Sequence, residues 1–160
     1  MSGSLKISQL TPSTAQNADI IPVARSGSNF AVTAQSIAAL ATRTAAITYV
    51  IDGGGSVPTT GNKGQISIPV ACTVTGWVIT ADASGSAVVD VLRSTYAGFP
   101  TTSSIAGSDK PTLSSAQKNE DLTLTGWGST ALAAGDIVQF NLNSASTVTR
   151  LNISLTVSIP

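Results

Sequence analysis

The segment Arg150-Leu151-Asn152-Ile153-Ser154-Leu155-Thr156-Val157-Ser158-Ile159 decides the fold class. An apolar residue fills every second position, and Asn, Ser and Thr fill the positions between. Side chains alternate faces along a strand, so one face can enter a core while the other meets water or a neighbouring subunit. The preceding run repeats the pattern: Val138, Phe140 and Leu142 alternate with Gln139 and Asn141, and Ala133-Ala134-Gly135-Asp136 supplies the turn after Leu132. Working further outward, β-rich runs separated by Gly, Ser and Pro predict strands over 45–51, 64–70, 72–81, 86–94, 120–127, 136–143 and 146–158. Spacing of this kind predicts an antiparallel β-sandwich, jelly-roll-like, or a barrel. Pro111 to Asn119 alone reads as helical, with Pro111 in a first-turn position, or as a turn-rich crossover.

The first 43 residues read as a separate small module. Asp19-Ile20-Ile21-Pro22-Val23-Ala24 predicts a short edge strand, Ser26-Gly27-Ser28-Asn29 a turn, and Asn29-Phe30-Ala31-Val32 the returning arm of a hairpin. Thr33 stands in the N-cap position of a short helix over Ala34–Ala41, with Ile37, Leu40 and Ala41 on one face. A hairpin and about two turns of helix bury little alone and need another surface. Ile20, Ile21, Val23, Phe30, Ile37 and Leu40 are therefore the candidate attachment surface. The expected organisation is an attachment module over 1–43, a linker or first strand over 44–51, and a β-sandwich over 52–160.

Composition narrows the chemistry. Of 160 residues, 22 are Ser, 21 Thr, 21 Ala and 14 Gly, while charged residues make up 10% against the usual quarter. Eight cations balance eight anions, which leaves no basic footprint for nucleic acid or anionic lipid. With no His there is no imidazole base and no Ser-His-Asp triad, and a single Cys allows neither an internal disulfide nor a Cys-cluster zinc site. Cys72 sits in a strand-like run and reads as a small buried hydrophobe. The start, Met1-Ser2-Gly3-Ser4-Leu5-Lys6, has no apolar h-region, so no secretory leader is expected, and no apolar run is long enough for a membrane span.

The remaining motifs are weak. Asp52-Gly53-Gly54-Gly55 and Gly61-Asn62-Lys63-Gly64 lack the Gly-Lys-Ser/Thr that opens a phosphate-binding helix, and read as a linker or hairpin loop. Asp82 reads as a turn former. Asp90, inside Val88-Val89-Asp90-Val91-Leu92, is either solvent-facing or paired, with Arg93 and Arg150 as available cations. Thr73-Val74-Thr75-Gly76-Trp77 recurs as Thr123-Leu124-Thr125-Gly126-Trp127, an echo that fits either two equivalent strands or coincidence. Tyr96-Ala97-Gly98-Phe99-Pro100, followed by Thr101 and Thr102, puts aromatic rings among hydroxyls in a loop, a combination suited to sugar or protein contact. Tyr96, Phe99, Thr101 and Thr102 are thus the candidate ligand-binding residues. No catalytic residue, metal site or cofactor is expected, and the chain is expected not to be an enzyme.

Two stretches resemble known proteins. Residues 6–41, through Lys6-Ile7-Ser8-Gln9-Leu10, Asp19-Ile20-Ile21-Pro22-Val23 and Thr33-Ala34-Gln35-Ser36-Ile37, resemble a module near the N-termini of tailed-bacteriophage fibre and spike proteins. Residues 52–157 are similar to a β-domain of phage structural proteins through Asp52-Gly53-Gly54-Gly55, Thr75-Gly76-Trp77, Lys110-Pro111-Thr112-Leu113-Ser114, Thr125-Gly126-Trp127, Ala134-Gly135-Asp136 and Ser146-Thr147-Val148-Thr149-Arg150. The resemblance implies a virion protein, assembled in the host cytoplasm and displayed as a spike, short fibre or decoration subunit. It implies a homo-oligomer, a trimer or higher ring, in contact with other virion proteins and with bacterial surface polysaccharide. The alternative is a capsid cement protein with no receptor role. It carries over no site residues, and neither nucleic acid nor membrane is an expected partner.

Overall fold

The computed structural model describes residues 16, 18–38 and 42–160. The described residues fall into two units, one ending before Thr42 and the other running Thr42–Pro160. The first holds an antiparallel hairpin of β1 (Ile20–Arg25) and β2 (Ser28–Thr33), turned by Ser26 and Gly27 at positive φ, and a short helix α1 (Ala34–Ala38). The Thr33 hydroxyl accepts the Ser36 N–H at 3.1 Å, capping the helix start.

The second unit is mainly β and wholly antiparallel in its pairing. Its strands are β3 (Arg43–Asp52), β4 (Gly61–Ser67), β5 (Cys72–Ser94), β6 (Ser103–Ser104), β7 (Thr112–Asp121), β8 (Ala131–Leu132), β9 (Ile137–Ser146) and β10 (Arg150–Ile159). β5 organises the rest. Along one edge its first half pairs with β10 and its second half with β9. β9 and β10 are consecutive, so together they run the length of β5 and break only at residues 147–149. β3 lies beside β10 and β4 beside β9, again consecutive, with their break at residues 53–60. On the other edge of β5 lie β7 and, at either end, the short β8 and β6.

These breaks lie along one line. The β5–β7 register shifts between Thr80 and Gly85 on that same line, and Ser115, Thr147, Gly54 and Gly55 take positive φ there. The sheet curls over along it and closes on one core. Val138, Phe140 and Leu142 of β9 meet Leu151, Ile153, Leu155 and Val157 of β10, with Ile79, Val89 and Val91 of β5 between, all buried. The alternation expected for β9 and β10 is present from Val138 to Leu142 and from Leu151 to Val157, with Ile159 half-buried at the strand end.

Side chains satisfy the backbone at the curl. The Asp82 carboxylate accepts the N–H groups of Thr149 and Arg150 at 3.0 and 3.1 Å and the Thr149 hydroxyl. The Ser86 hydroxyl accepts the Ser115 N–H, the Ser84 hydroxyl donates to the Ser115 carbonyl, and Arg150 pairs with Asp52 at 2.8 Å. Asp82 is a cross-strand clamp rather than the local turn former expected.

Three expectations about the strands are corrected. Residues 72–81 and 86–94 form one strand, because the clamps carry β5 through the curl without a turn. Pro111–Asn119 is not helical: it gives β7, because its buried residues, Pro111 and Leu113, lie two apart at the strand period and the open edge of β5 needs a partner more than the segment needs its own helix. Residues 122–127 are not a strand. The Asp121 carboxylate captures the N–H groups of Thr123 and Leu124 and turns the chain, with Leu124 at φ 52°. The Thr-Gly-Trp echo therefore joins unlike places. Gly76 lies beside a bulge opposite Thr156 and Val157, where the buried phase of β5 moves from Cys72 and Val74 to Trp77 and Ile79, whereas Gly126 lies in the turn.

Tyr49 joins the two arms of the curl. Its ring stacks on Phe140 with centroids 4.8 Å apart, and its hydroxyl donates to the Lys63 carbonyl at 2.5 Å. Gly64 (φ 146°) leaves room for that ring: a Cβ there would lie 2.9 Å from Tyr49 Cζ. Gly64→Ala is expected to destabilise the protein by about 1–3 kcal/mol in denaturant melts. Gly55→Ala, at positive φ in open space, is expected to lose less. Asp82 offers a second test. Hydrogen bonds from Thr149 and Arg150 lower its pKa from 3.8 to about 2, so its clamp contributes fully above 3.8 and fades as pH falls towards 2. Thermal melts across that range should show Asp82→Ala well below wild type at neutral pH and converging with it near pH 2.

Candidate functional site

β5 ends at Ser94 and the chain enters a tight loop. The Thr95 carbonyl accepts the N–H groups of Gly98 and Phe99 at 3.1 Å each, the Thr95 hydroxyl also accepts from Gly98, and Thr101 N–H returns to the Gly98 carbonyl. The Phe99–Pro100 peptide is cis. Residues 103–105 then pair back along β5, and the Gly128 N–H bonds to the Ile105 carbonyl at 2.9 Å. Between these pieces lies an open cavity of about 520 Å³. Ser94, Thr95, Thr101, Ser103, Ser104 and Ser129 line it with hydroxyl residues, and Arg93 lines it as its one charged residue.

Arg93 is fixed from behind. Its Nε donates to Asp136 Oδ2 at 2.6 Å, and the same oxygen accepts the Ala133 N–H at 2.7 Å. The Asp136 side chain is only 4% exposed. Asp136 also ties β4 to β9 through its carbonyl, which accepts the Ile68 N–H at 2.8 Å. Asp90 is paired, but with neither cation expected: Lys110 approaches at 3.4 Å and the cavity-lining Ser104 hydroxyl donates to it at 2.6 Å. Arg93 goes to Asp136 and Arg150 to Asp52 instead. The order of residues gave no sign of these pairings, since they depend on which strand ends meet.

The candidate ligand-binding residues share this loop. Thr101 lines the cavity, Tyr96 is 80% exposed beside it in sequence, and Phe99 and Thr102 are half-buried. Of the candidate attachment residues, Ile20, Ile21 and Ile37 are exposed. Val23 and Phe30 are paired in the hairpin register, their side chains lying outside the described residues, as does Leu40 altogether.

A second cluster was not read from the sequence. Asp109 and Asp121 come together although twelve residues separate them. Burial and the Asp121 carboxylate push the Asp109 carboxyl above its usual range, while the Thr123 hydroxyl, the Thr123 N–H and Asp109 hold Asp121 down to about 2. The Trp127 indole N–H donates to the Asp109 carbonyl at 2.8 Å. Neither carboxylate lines the hydroxyl cavity, and Asp121 is occupied in shaping the 121–124 turn. Among the described residues no group of three His, Cys, Asp or Glu side chains could hold a metal ion, and no helix is long and apolar enough to cross a membrane. Cys72 is buried, and burial pushes its thiol pKa up.

The sequence matches no protein-family model and no curated protein. Among solved structures, a chain in the structure of the infectious bursal disease virus Gx strain aligns over 89% of this chain at 11% identity, with a TM-score of 0.34. This chain spans 38% of that one.

Asp136 is expected to be the most sensitive residue around the cavity. Asp136→Ala leaves the Arg93 guanidinium without its counter-ion and the Ala133 N–H without its acceptor, and should destabilise the protein by about 1–3 kcal/mol in denaturant unfolding. Tyr96→Ala should leave the same transition unmoved, because that ring is almost wholly in water.

Proposed function

We propose that the chain is a non-enzymatic structural component of a tailed-phage-like virion, carried on the particle as a spike, short fibre or decoration subunit. In this reading the curled sheet is a jelly-roll-like sandwich displayed outward, and residues 1–43 attach it to the particle. The subunits associate with one another, as a trimer or higher ring, and the cavity beside the 95–102 loop contacts host-surface glycan.

The observation that carries the reading is the outward face of β3 and β10. Thr44, Ala46, Thr48 and Val50 lie on it beside Asn152, Ser154, Thr156 and Ser158, uncharged up to the exposed Asp52–Arg150 ion pair at one end. The Thr48 and Ser154 hydroxyls bond to each other at 3.1 Å. Among the described residues β3 pairs on one edge only, and Val50 is half exposed. Such a face can meet a second copy with little charge to desolvate, and a closed ring hides its free edge. The exposed Ile20, Ile21 and Ile37 support an attachment role for the first unit. The hydroxyl-lined cavity with an exposed tyrosine supports sugar contact, which many copies on one particle would strengthen.

Sedimentation of the full chain tests the first part. Wild type should run as an oligomer, and Thr48→Lys should shift it towards monomer with its melting temperature retained; a monomeric wild type would remove the structural reading. A glycan array tests the second part. Tyr96→Ala and Phe99→Ala should each bind less than wild type, and equal binding by all three would clear the loop of that role.

A further inference from the structure

We propose that the cavity takes an acidic sugar, with the sugar carboxylate seated on Arg93. This rests on the glycan reading above and narrows it to one class of ligand.

The argument starts from the donors of Arg93. A guanidinium carries five N–H donors in a planar fork. Asp136 accepts from Nε alone, so Nη1 and Nη2 have no hydrogen-bond partner among the described residues, and Arg93 lines the cavity. Asp136 is buried and held by the Ala133 N–H. The plane of the fork is therefore set before any ligand arrives. A preset fork with free terminal nitrogens suits the planar, singly charged carboxylate, which it can bind with two parallel hydrogen bonds. A doubly charged phosphate would call for a second cation, and Arg93 is the one charged residue in the lining. The nearby Lys110 is already engaged by Asp90.

The rest of the lining fits the remainder of a sugar. Thr101, Ser103 and Ser129 bring hydroxyls that can both donate and accept, matching the hydroxyls of a saccharide ring, while the Ser104 hydroxyl gives its proton to Asp90. The volume of about 520 Å³ lies within the ordinary range for small-ligand sites.

The test is calorimetric titration of the full-length chain with carboxylated oligosaccharides (oligogalacturonate, oligosialate and hyaluronan fragments), each beside its methyl-esterified form. Esterification removes the charge and leaves the ring hydroxyls in place. At least one acid should bind wild type about tenfold or more tighter than its ester, and added salt should weaken it. Arg93→Gln should abolish that preference while retaining the melting temperature. The acid–ester comparison uses wild type alone, so it decides the matter even where Arg93→Gln fails to fold. Equal binding of acid and ester overturns the charged seat and leaves the glycan reading standing. A folded Arg93→Gln that keeps the preference overturns the assignment to Arg93. No binding of any acid overturns this inference, and if neutral glycans on the array also fail, the glycan reading falls with it.

Discussion

Curling a sheet over itself interrupts its backbone hydrogen bonds along one line, and every buried N–H and C=O on that line must find another partner. The rest of this protein depends on how that requirement is met. Asp82 answers for the break between β9 and β10, Ser84 and Ser86 for the kink in β7, and Asp52, which accepts the Gly54 N–H, for the break between β3 and β4. The Gly53 N–H reaches the Thr149 carbonyl at 2.8 Å and links two of these breaks directly. With the line held, both arms of the sheet can turn their apolar faces inward and share one core.

The same requirement accounts for much of the composition. Short polar side chains reach backbone groups one or two bonds away, which longer ones overshoot. Ser, Thr and Asp are therefore spent at the curl, at the 121–124 turn and in the loop after β5. The acids are consumed in the same way. Asp52, Asp82, Asp90 and Asp136 each accept hydrogen bonds that fix two pieces of chain together, and Asp121 accepts those that shape its own turn.

Alternation was legible wherever a strand has one dry face and one wet face. It located β9 and β10 within a few residues and named their core positions, because Leu151, Ile153, Leu155 and Val157 leave no other face to bury. It failed where the face was not the deciding constraint. β7 carries helix-compatible residues and forms a strand only because β5 offers an open edge, a demand that arises across the fold. Residues 122–127 carry strand-compatible residues and turn because one carboxylate captures two amides. β5 was read as two strands because Asp82-Ala83-Ser84-Gly85 has turn chemistry, yet here Asp82 and Ser84 bond residues more than thirty positions away. At the candidate site the aromatic and hydroxyl loop was visible as a loop, whereas the Arg93–Asp136 pair behind it was not. That pair joins the end of β5 to the start of β9, and no local pattern records such a meeting.

The curl and the cavity lie on one strand, the curl at its middle and the cavity at its end. β5 enters the curl at Asp82 and ends at Ser94, in the cavity wall. Between them Ala87, Val89 and Val91 are buried and paired to β9, so the stretch that carries Arg93 is held on its core face and along its edge. The β9 residues that hold it, Val138 to Leu142, follow Asp136, the residue that fixes the guanidinium. A site on strand ends inherits the order of the strands, unlike one carried by the loop alone. Here the loop contributes the changeable part, Tyr96 to Thr102, and the strands contribute the fixed part, Arg93 and its buried carboxylate. In the proposed role, substitutions in the loop would change the ligand while Arg93, Asp136 and the curl that orders β5 stay as they are.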